Sequence, residues 1–352
     1  MIWILMFLGA IVAAIAGGVF LISSIAKFSL ISNKKISFLL IALTFTFFYF
    51  ALGWINALTI IIFVTFFFLF AEGLGKLIKK IDTKYYWQGW LALLCSVLYL
   101  GAGYYLCVTV VPKDYNLSTE KDLGTLKVAM FGDSHMSTTF DGDGFAKHLK
   151  KIEAENPDIL LIAGDFVDDG SKNIDMEKAC EALGKLDLKY GVWFVYGNHD
   201  EGYFNHRDFT AEDLRYNLTK NGINILEDEY TLIDNRFYLV GRLDKGLNSD
   251  RMPIADLVKD LDQSKYILVM DHEPADYDAE AAAGCDLVVS GHTHGGQMIP
   301  ITYIGEWTGV NDATYGYERR EKTDFIVTSG ISDWALKFKT GTRSEYTIIN
   351  IK

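Results

Sequence analysis

Five short polar motifs follow one another along the chain from residue 133. They are Asp133-Ser134-His135, Gly164-Asp165-Phe166-Val167-Asp168, Gly197-Asn198-His199-Asp200, Asp271-His272-Glu273 and Gly291-His292-Thr293-His294-Gly295-Gly296-Gln297. Five of the seven histidines lie in them. Carboxylate, imidazole and carboxamide oxygen, with no thiolate among them, are donors suited to Mn, Fe or Zn. Two such cations held about 3.5–4 Å apart need a shared carboxylate to offset their repulsion, and Asp165 is the candidate for that bridge. Each motif alone has a bland reading. A D-x-H is usually a surface loop, a GD after a strand a turn or helix N-cap, a single His a satisfied polar residue. Five of them, each in the same local setting, are not explained that way.

That setting is the end of an apolar run. Leu126–Phe131, Ile159–Ala163, Gly191–Tyr196, Tyr266–Met270 and Leu287–Ser290 read as strands buried on both faces. Helical patterns at Phe145–Asn156, Met176–Leu186, Asp213–Asn221 and Ile254–Asp262 separate most of them, and a β-rich tail holds Phe325–Thr328 and Glu345–Ile351. The alternation predicts an α/β domain over 126–352, with its polar groups gathered at the carboxyl ends of the strands. Glycine before Asp165, Asn198 and His292 lets the backbone turn sharply off each strand.

The succession D-x-H, GD-x-x-D/N, GNH-D/E, a single His and GH-x-H resembles that of the calcineurin-like metallophosphoesterases, over Leu126 to Lys352. The resemblance implies a four-layer α/β/β/α sandwich and two divalent metal ions, manganese first among Mn, Fe and Zn. It implies that Asp133, His135 and His294 hold one metal, that Asn198, His272 and His292 hold the other, and that Asp165 bridges them. His199 would contact the phosphate and protonate the leaving oxygen, with Asp200 orienting it. The implied reaction is hydrolysis of a phosphate ester, at a diester or pyrophosphate bond, by a hydroxide held between the metals and attacking phosphorus in line. No G-x-S-x-G and no Cys–His pairing signal points to a side-chain nucleophile. The extended GHTHGGQ, with the tail from Thr328 to Tyr346, resembles a narrower branch of membrane-associated or exported bacterial phosphoesterases. The first motif reads GDSHM where the family more often shows SD-x-H, a departure that spares both ligands.

Charge divides the chain in two. Residues 1–111 carry seven lysines against Glu72 and Asp82, a balance of +5, which leaves −17 on residues 112–352 within the total of −12. Met1–Ala26, Ile36–Ala71 and Trp87–Val111 contain no charged side chain. A membrane crossing takes about 20 apolar residues, so four spans are predicted: 1–26, 36–53, 56–75 and 87–111, the long middle stretch dividing near Gly53-Trp54-Ile55-Asn56. Residues 112–125, polar from Lys113 on, read as a linker. Lys27, Lys34 and Lys35 in the first loop and Lys76, Lys79, Lys80 and Lys84 in the third place those loops in the cytoplasm. A multi-pass protein of the cell membrane with an extracytoplasmic catalytic domain follows. The first span lacks the basic flank of a signal peptide and reads as an anchor.

A domain at −17 stays near −13 with two divalent cations, so nucleic acid is disfavoured as a partner. A small or lipid-linked phosphate ester beside the bilayer is favoured. Other readings are a non-catalytic sensor of phosphate ligands on the same fold, a phosphomonoesterase of small soluble substrates, and a transporter with a regulatory head. The last is opposed by spans without Arg or His. Cys180 and Cys285 read as buried thiols, with a bridge between them the alternative, and Tyr303, Trp307, Tyr315 and Tyr317 as packing of the tail or the wall of a pocket.

Overall fold

The computed structural model describes residues 2–78, 85–204, 207–247 and 250–352; Lys79, Lys80, Asp82 and Lys84 of the third loop lie outside the described residues. In hydrocarbon a backbone must satisfy its own polar groups, which favours helix wherever uncharged runs are long. Four such helices form here: α1 (Ile2–Ile25), α2 (Lys34–Leu52), α3 (Trp54–Leu77) and α4 (Trp87–Val108). Each is long and apolar enough to cross a membrane. Gly53 alone divides the long middle stretch. Its φ of +90° breaks the helix, and Trp54 already begins the next. Asn33 caps α2, its side-chain oxygen accepting from the Lys35 amide at 2.8 Å. Glu72 is answered locally: one of its oxygens accepts from Lys27 Nζ at 2.6 Å, Ser24 Oγ at 3.0 Å and Tyr86 Oη at 2.5 Å. Met1–Tyr105 with Ala335–Phe338 forms one compact unit, and Leu106–Trp334 with Lys339–Lys352 the other.

The second unit is built on two six-stranded sheets. One has the order β1-β12-β2-β3-β4-β5, using β1 (Val111–Leu117), β2 (Leu126–Phe131), β3 (Ile159–Ala163), β4 (Val192–Val195), β5 (Asn224–Ile225) and β12 (Glu345–Ile351). The other runs β10-β11-β9-β8-β7-β6, from β6 (Glu229–Ile233), β7 (Phe237–Gly241), β8 (Tyr266–Met270), β9 (Leu287–Ser290), β10 (Gly316–Arg320) and β11 (Thr323–Val327). Side chains alternate across each strand, so one strand feeds two cores. Val128 and Met130 of β2 join Leu268 and Met270 of β8 in the core between the sheets. Ala129 and Phe131 turn the other way, against α5 (Gly142–Ala154), α6 (Asn173–Leu183) and α7 (Ala211–Lys220). Ile267 and Val269 face a third core with α8 (Ile254–Val258) and α9 (Tyr277–Ala282). Helix, sheet, sheet, helix is the four-layer order expected.

Two details differ from the sequence reading, and a third, the two cysteines, agrees with its reading as buried thiols. The segment taken as a linker begins as β1, whose seven residues pair in parallel with β12 from Val111↔Glu345 to Leu117↔Ile351. An edge strand can expose polar side chains and still hydrogen-bond through its backbone. The β6–β7 hairpin, which the apolar runs did not reveal, turns through Asp234, Asn235 and Arg236, the first two with positive φ at the centre of a turn closed by the Arg236 amide on Ile233 O at 2.9 Å. All four cysteines are free, and Cys180 and Cys285 lie in separate outer cores, so no bridge joins them.

Past the end of β7, Arg242 is 1% exposed and places Nη1 at 3.0, 2.8 and 3.2 Å from Asp271, Asp276 and Glu280. Arg251 adds two bonds to Asp271, at 2.8 and 2.7 Å. This buried network fixes the chain that leaves β8 just before His272. The short helix α10 (Ile304–Trp307) follows the last motif, and Tyr303 and Trp307 stand exposed around it. Tyr315 and Tyr317 instead bond Glu345 and Asp324 at 2.8 Å each, as packing of the tail.

Candidate metal centre

All five motifs leave strand ends: β2, β3 and β4 of one sheet, β8 and β9 of the other. The turns off these strands are strained. Asp133, His135, Asp165, His292 and His294 all have positive φ, between 35° and 71°, a conformation that non-glycine residues rarely hold unless their surroundings impose it. Glycine supplies the room. A side chain at Gly164, whose φ is +81°, would lie 2.5 Å from His272 Nδ1, and one at Gly197 would collide with the Asp165 carboxylate.

The structure brings the motif residues into two adjoining groups. Asp133, His135 and His294 offer donor atoms within 4.8 Å of one another, as do Asp165, His272 and His292. In the first group His135 Nε2 and His294 Nε2 face each other at 3.2 Å. In the second, Asn198 Oδ1 lies 3.1 Å from His272 Nε2 and 3.0 Å from His292 Nδ1. Asp165 Oδ2 stands between the groups, 3.7 Å from His135 Nε2 and 3.3 Å from His272 Nε2. The second oxygens are held from behind: Asp133 Oδ1 accepts from the His292 amide and Asp165 Oδ1 from the His199 amide, each at 2.9 Å. Asp133 Oδ2 is buried with no hydrogen-bond partner among the described residues. Convergent lone pairs with too few protons between them fit a pair of cations.

Electrostatics agrees with that fit. Burial opposes charge on His135, yet Asp168 beside its ring, with Asp165 and Asp133, pushes its pKa up to about 9. His272, equally buried, is raised well above its usual value by Asp165. Burial also resists ionisation of Asp165, but His272 and His135 hold it well below the usual carboxylate range. Without metal the centre therefore gathers protons, and binding of a cation displaces them. His292 differs: burial and the neighbouring His272 charge carry it down to about 3.

His199 packs beside the first group, its ring centroid 5.1 Å from that of His135, 5.2 Å from Tyr203 and 5.5 Å from Trp334. Burial lowers its pKa to about 4. Asp200 does not orient it, which corrects the expectation. One Asp200 oxygen accepts from the amides of Asp165 and Gly197, both at 2.8 Å, and the other from Phe166 at 2.8 Å and Val167 at 3.0 Å. His199 Nδ1 has no hydrogen-bond partner among the described residues. Asp200 is an anchor for the turn that carries Asp165.

Four residues that the sequence reading did not single out also touch the centre. Asp168 Oδ2 lies 3.2 Å from His135 Nδ1. Tyr203 Oη accepts from Asn198 Nδ2 at 2.8 Å, which turns the carboxamide oxygen toward the imidazoles. Trp334 lies over His199, and Asp333 Oδ1 is 3.3 Å from His294 Nδ1. For Asp168 a signal was present, the fourth position of GD-x-x-D; Asp333 and Trp334 lie in a loop far along the chain with no local pattern.

Comparison with known proteins accords with this architecture. The calcineurin-like phosphoesterase family profile matches residues 126–296. An uncharacterized metallophosphoesterase of Aquifex aeolicus is 31% identical over 198 residues, 54% of this chain and 71% of that one. One of Campylobacter jejuni is 29% identical over 231 residues, 64% of this chain; the chain spans 59% of that relative's length. A zebrafish (Danio rerio) protein named as a transmembrane protein with a metallophosphoesterase domain is 26% identical over 317 residues, 81% of this chain and 70% of its own.

Proposed function

The chain belongs to the calcineurin-like phosphoesterases, and on that premise we propose that it is a membrane-anchored, metal-dependent hydrolase of a phosphodiester or pyrophosphate bond. The substrate is a small or lipid-linked phosphate ester. The observation that carries the reading is the position of Asp165 Oδ2, within 3.7 Å of an imidazole in each donor group. Two cations held there supply Lewis acidity, which brings the pKa of water down to about 7 and neutralises charge on a phosphoryl group.

The chain's own residues do the rest. Asp133, His135 and His294 hold one ion, Asn198, His272 and His292 the other, with Asp165 shared and manganese the first candidate. His199 is neutral near pH 7, because burial lowers its pKa to about 4, and in that state it offers an N–H to a phosphoryl oxygen. Approach of an anionic phosphate favours the imidazolium, the form that protonates a leaving oxygen. Trp334 and Tyr203 keep the ring in place from two sides. Residues 1–111 serve as anchor and 126–352, with β1, as catalytic domain. The Lys-rich loops support an extracytoplasmic catalytic domain in the cell membrane.

Full-length protein in nanodiscs with Mn²⁺ is to be assayed on bis-p-nitrophenyl phosphate, p-nitrophenyl phosphate, nucleotides and lipid pyrophosphates. Turnover of a diester or pyrophosphate is expected. Phosphate-ester binding without turnover by the Mn²⁺-loaded chain would replace the hydrolase with a sensor. His199→Ala is expected to keep its Mn²⁺ and lower kcat by about 10²–10⁴; loss of metal would make His199 a ligand instead.

A further inference from the structure

We propose that Asp333 is a positioning residue of the metal centre, holding the His294 ring with Nε2 turned toward Asp133 and His135, and that Lys339 is its counter-ion. This rests on the reading of His294 as a metal ligand.

Asp333 lies in the loop between β11 and β12 and is fully buried. Neither of its oxygens has a hydrogen-bond partner among the described residues. A buried carboxylate in that state is costly and calls for an explanation. Three polar groups approach it: His294 Nδ1 at 3.3 Å and Lys339 Nζ at 3.4 Å, both at Oδ1, and the thiol of Cys107. Lys339 is itself fully buried, but its close bond, 2.5 Å, goes to Ser329 O. A carboxylate present only to neutralise Lys339 would take that shortest bond. Instead it stands midway between ammonium and imidazole.

The imidazole side supplies the reason. A histidine that ligates through Nε2 carries its proton on Nδ1, and that proton needs an acceptor. For His294, buried and with no other partner at Nδ1 among the described residues, Asp333 is the acceptor within reach. Two of the three other inward-facing rings follow the same arrangement, while His292 turns Nδ1 inward, 3.0 Å from Asn198 Oδ1. His135 sets Nδ1 3.2 Å from Asp168 Oδ2, and His272 sets Nδ1 2.7 Å from Ala163 O. In each, Nε2 is the nitrogen on the inner side. Lys339 then keeps a charged carboxylate tolerable in the loop and leaves Oδ1 open to the ring.

The test is Mn²⁺ binding to full-length, chelator-stripped protein in nanodiscs, followed by electron paramagnetic resonance of the free ion. The variants are Asp333→Asn, Lys339→Met and the double variant, which removes both buried charges together and guards against misfolding of Asp333→Asn alone. The single Asp333 variant and the double variant are both expected to weaken one of the two binding steps by about 10–100-fold, and Lys339→Met to leave that step within a few-fold. If Asp333 exists only for Lys339, the double variant binds both ions like wild type, and the proposal is overturned. Phosphoesterase activity separates the two readings. Wild-type turnover beside normal binding by the double variant sinks this assignment alone. No turnover on any ester by the Mn²⁺-loaded wild-type chain, with one binding step weakened in both Asp333 variants, sinks the hydrolase and leaves Asp333 in place.

Discussion

Replacing Asp200 by Asn separates an anchor from a catalytic partner. The carboxylate is buried and accepts four backbone N–H bonds, two at each oxygen, between 2.8 and 3.0 Å. Asn keeps one oxygen and turns an NH₂ group against the other two amides. Two bonds to a charged group are lost, each worth about 1.5–3 kcal/mol, and the surviving pair loses its charge assistance. A destabilisation of about 3–5 kcal/mol follows, a large part of the 5–15 kcal/mol typical of a domain. At about 2–4 °C per kcal/mol for a unit of this size, Tm falls by about 6–20 °C. The damage is centred on the turn at Asp165, so Mn²⁺ affinity falls with it. Differential scanning fluorimetry of metal-free and Mn²⁺-loaded protein, with metal content measured alongside, reads both effects. A variant that kept wild-type Tm and both ions but lost a hundredfold in kcat would refute the anchor and return Asp200 to His199.

Two other substitutions test neighbouring parts of the argument. Gly197→Ala puts a methyl 2.5 Å from the Asp165 amide and against its carboxylate, so Mn²⁺ binding is expected to drop at both steps; equilibrium dialysis with two ions retained would show that the turn yields. Arg242→Met leaves Glu280 buried without its cation and Asp271 with Arg251 alone, an expected loss of about 3–5 kcal/mol visible in urea melts, whereas a loss under 1 kcal/mol would mean that Arg251 suffices.

What could be read from the sequence was what is local. Strands buried on both faces are continuous apolar runs, so β2, β3, β8 and β9 were legible nearly to the residue, and the motifs that end them announce the donor groups. The polar edge strands β1 and β10 carry Lys, Asp, Glu and Arg outward and have no such signature. Asp200 was misread because it adjoins His199 in sequence, whereas adjacent residues in a turn point apart. Asp333 and Trp334 reach the centre only through the fold, from a loop that begins some 35 residues beyond His294 in chain order by way of β10 and β11.

The place of β12 has a consequence for how the protein is made. β12 lies between β1 and β2 in its sheet, so β1 reaches the rest of that sheet only through a strand far later in chain order. Asn116 pairs with Asn350, 234 positions further on. Chains leave the ribosome from the N-terminus, and long-range pairing is slow. β1 therefore waits with an unpaired edge, and the first sheet closes only after β12 has been made. The ladder that joins β1 to the rest of its sheet therefore forms only after all five ligand motifs, which precede β12 in chain order, have been made.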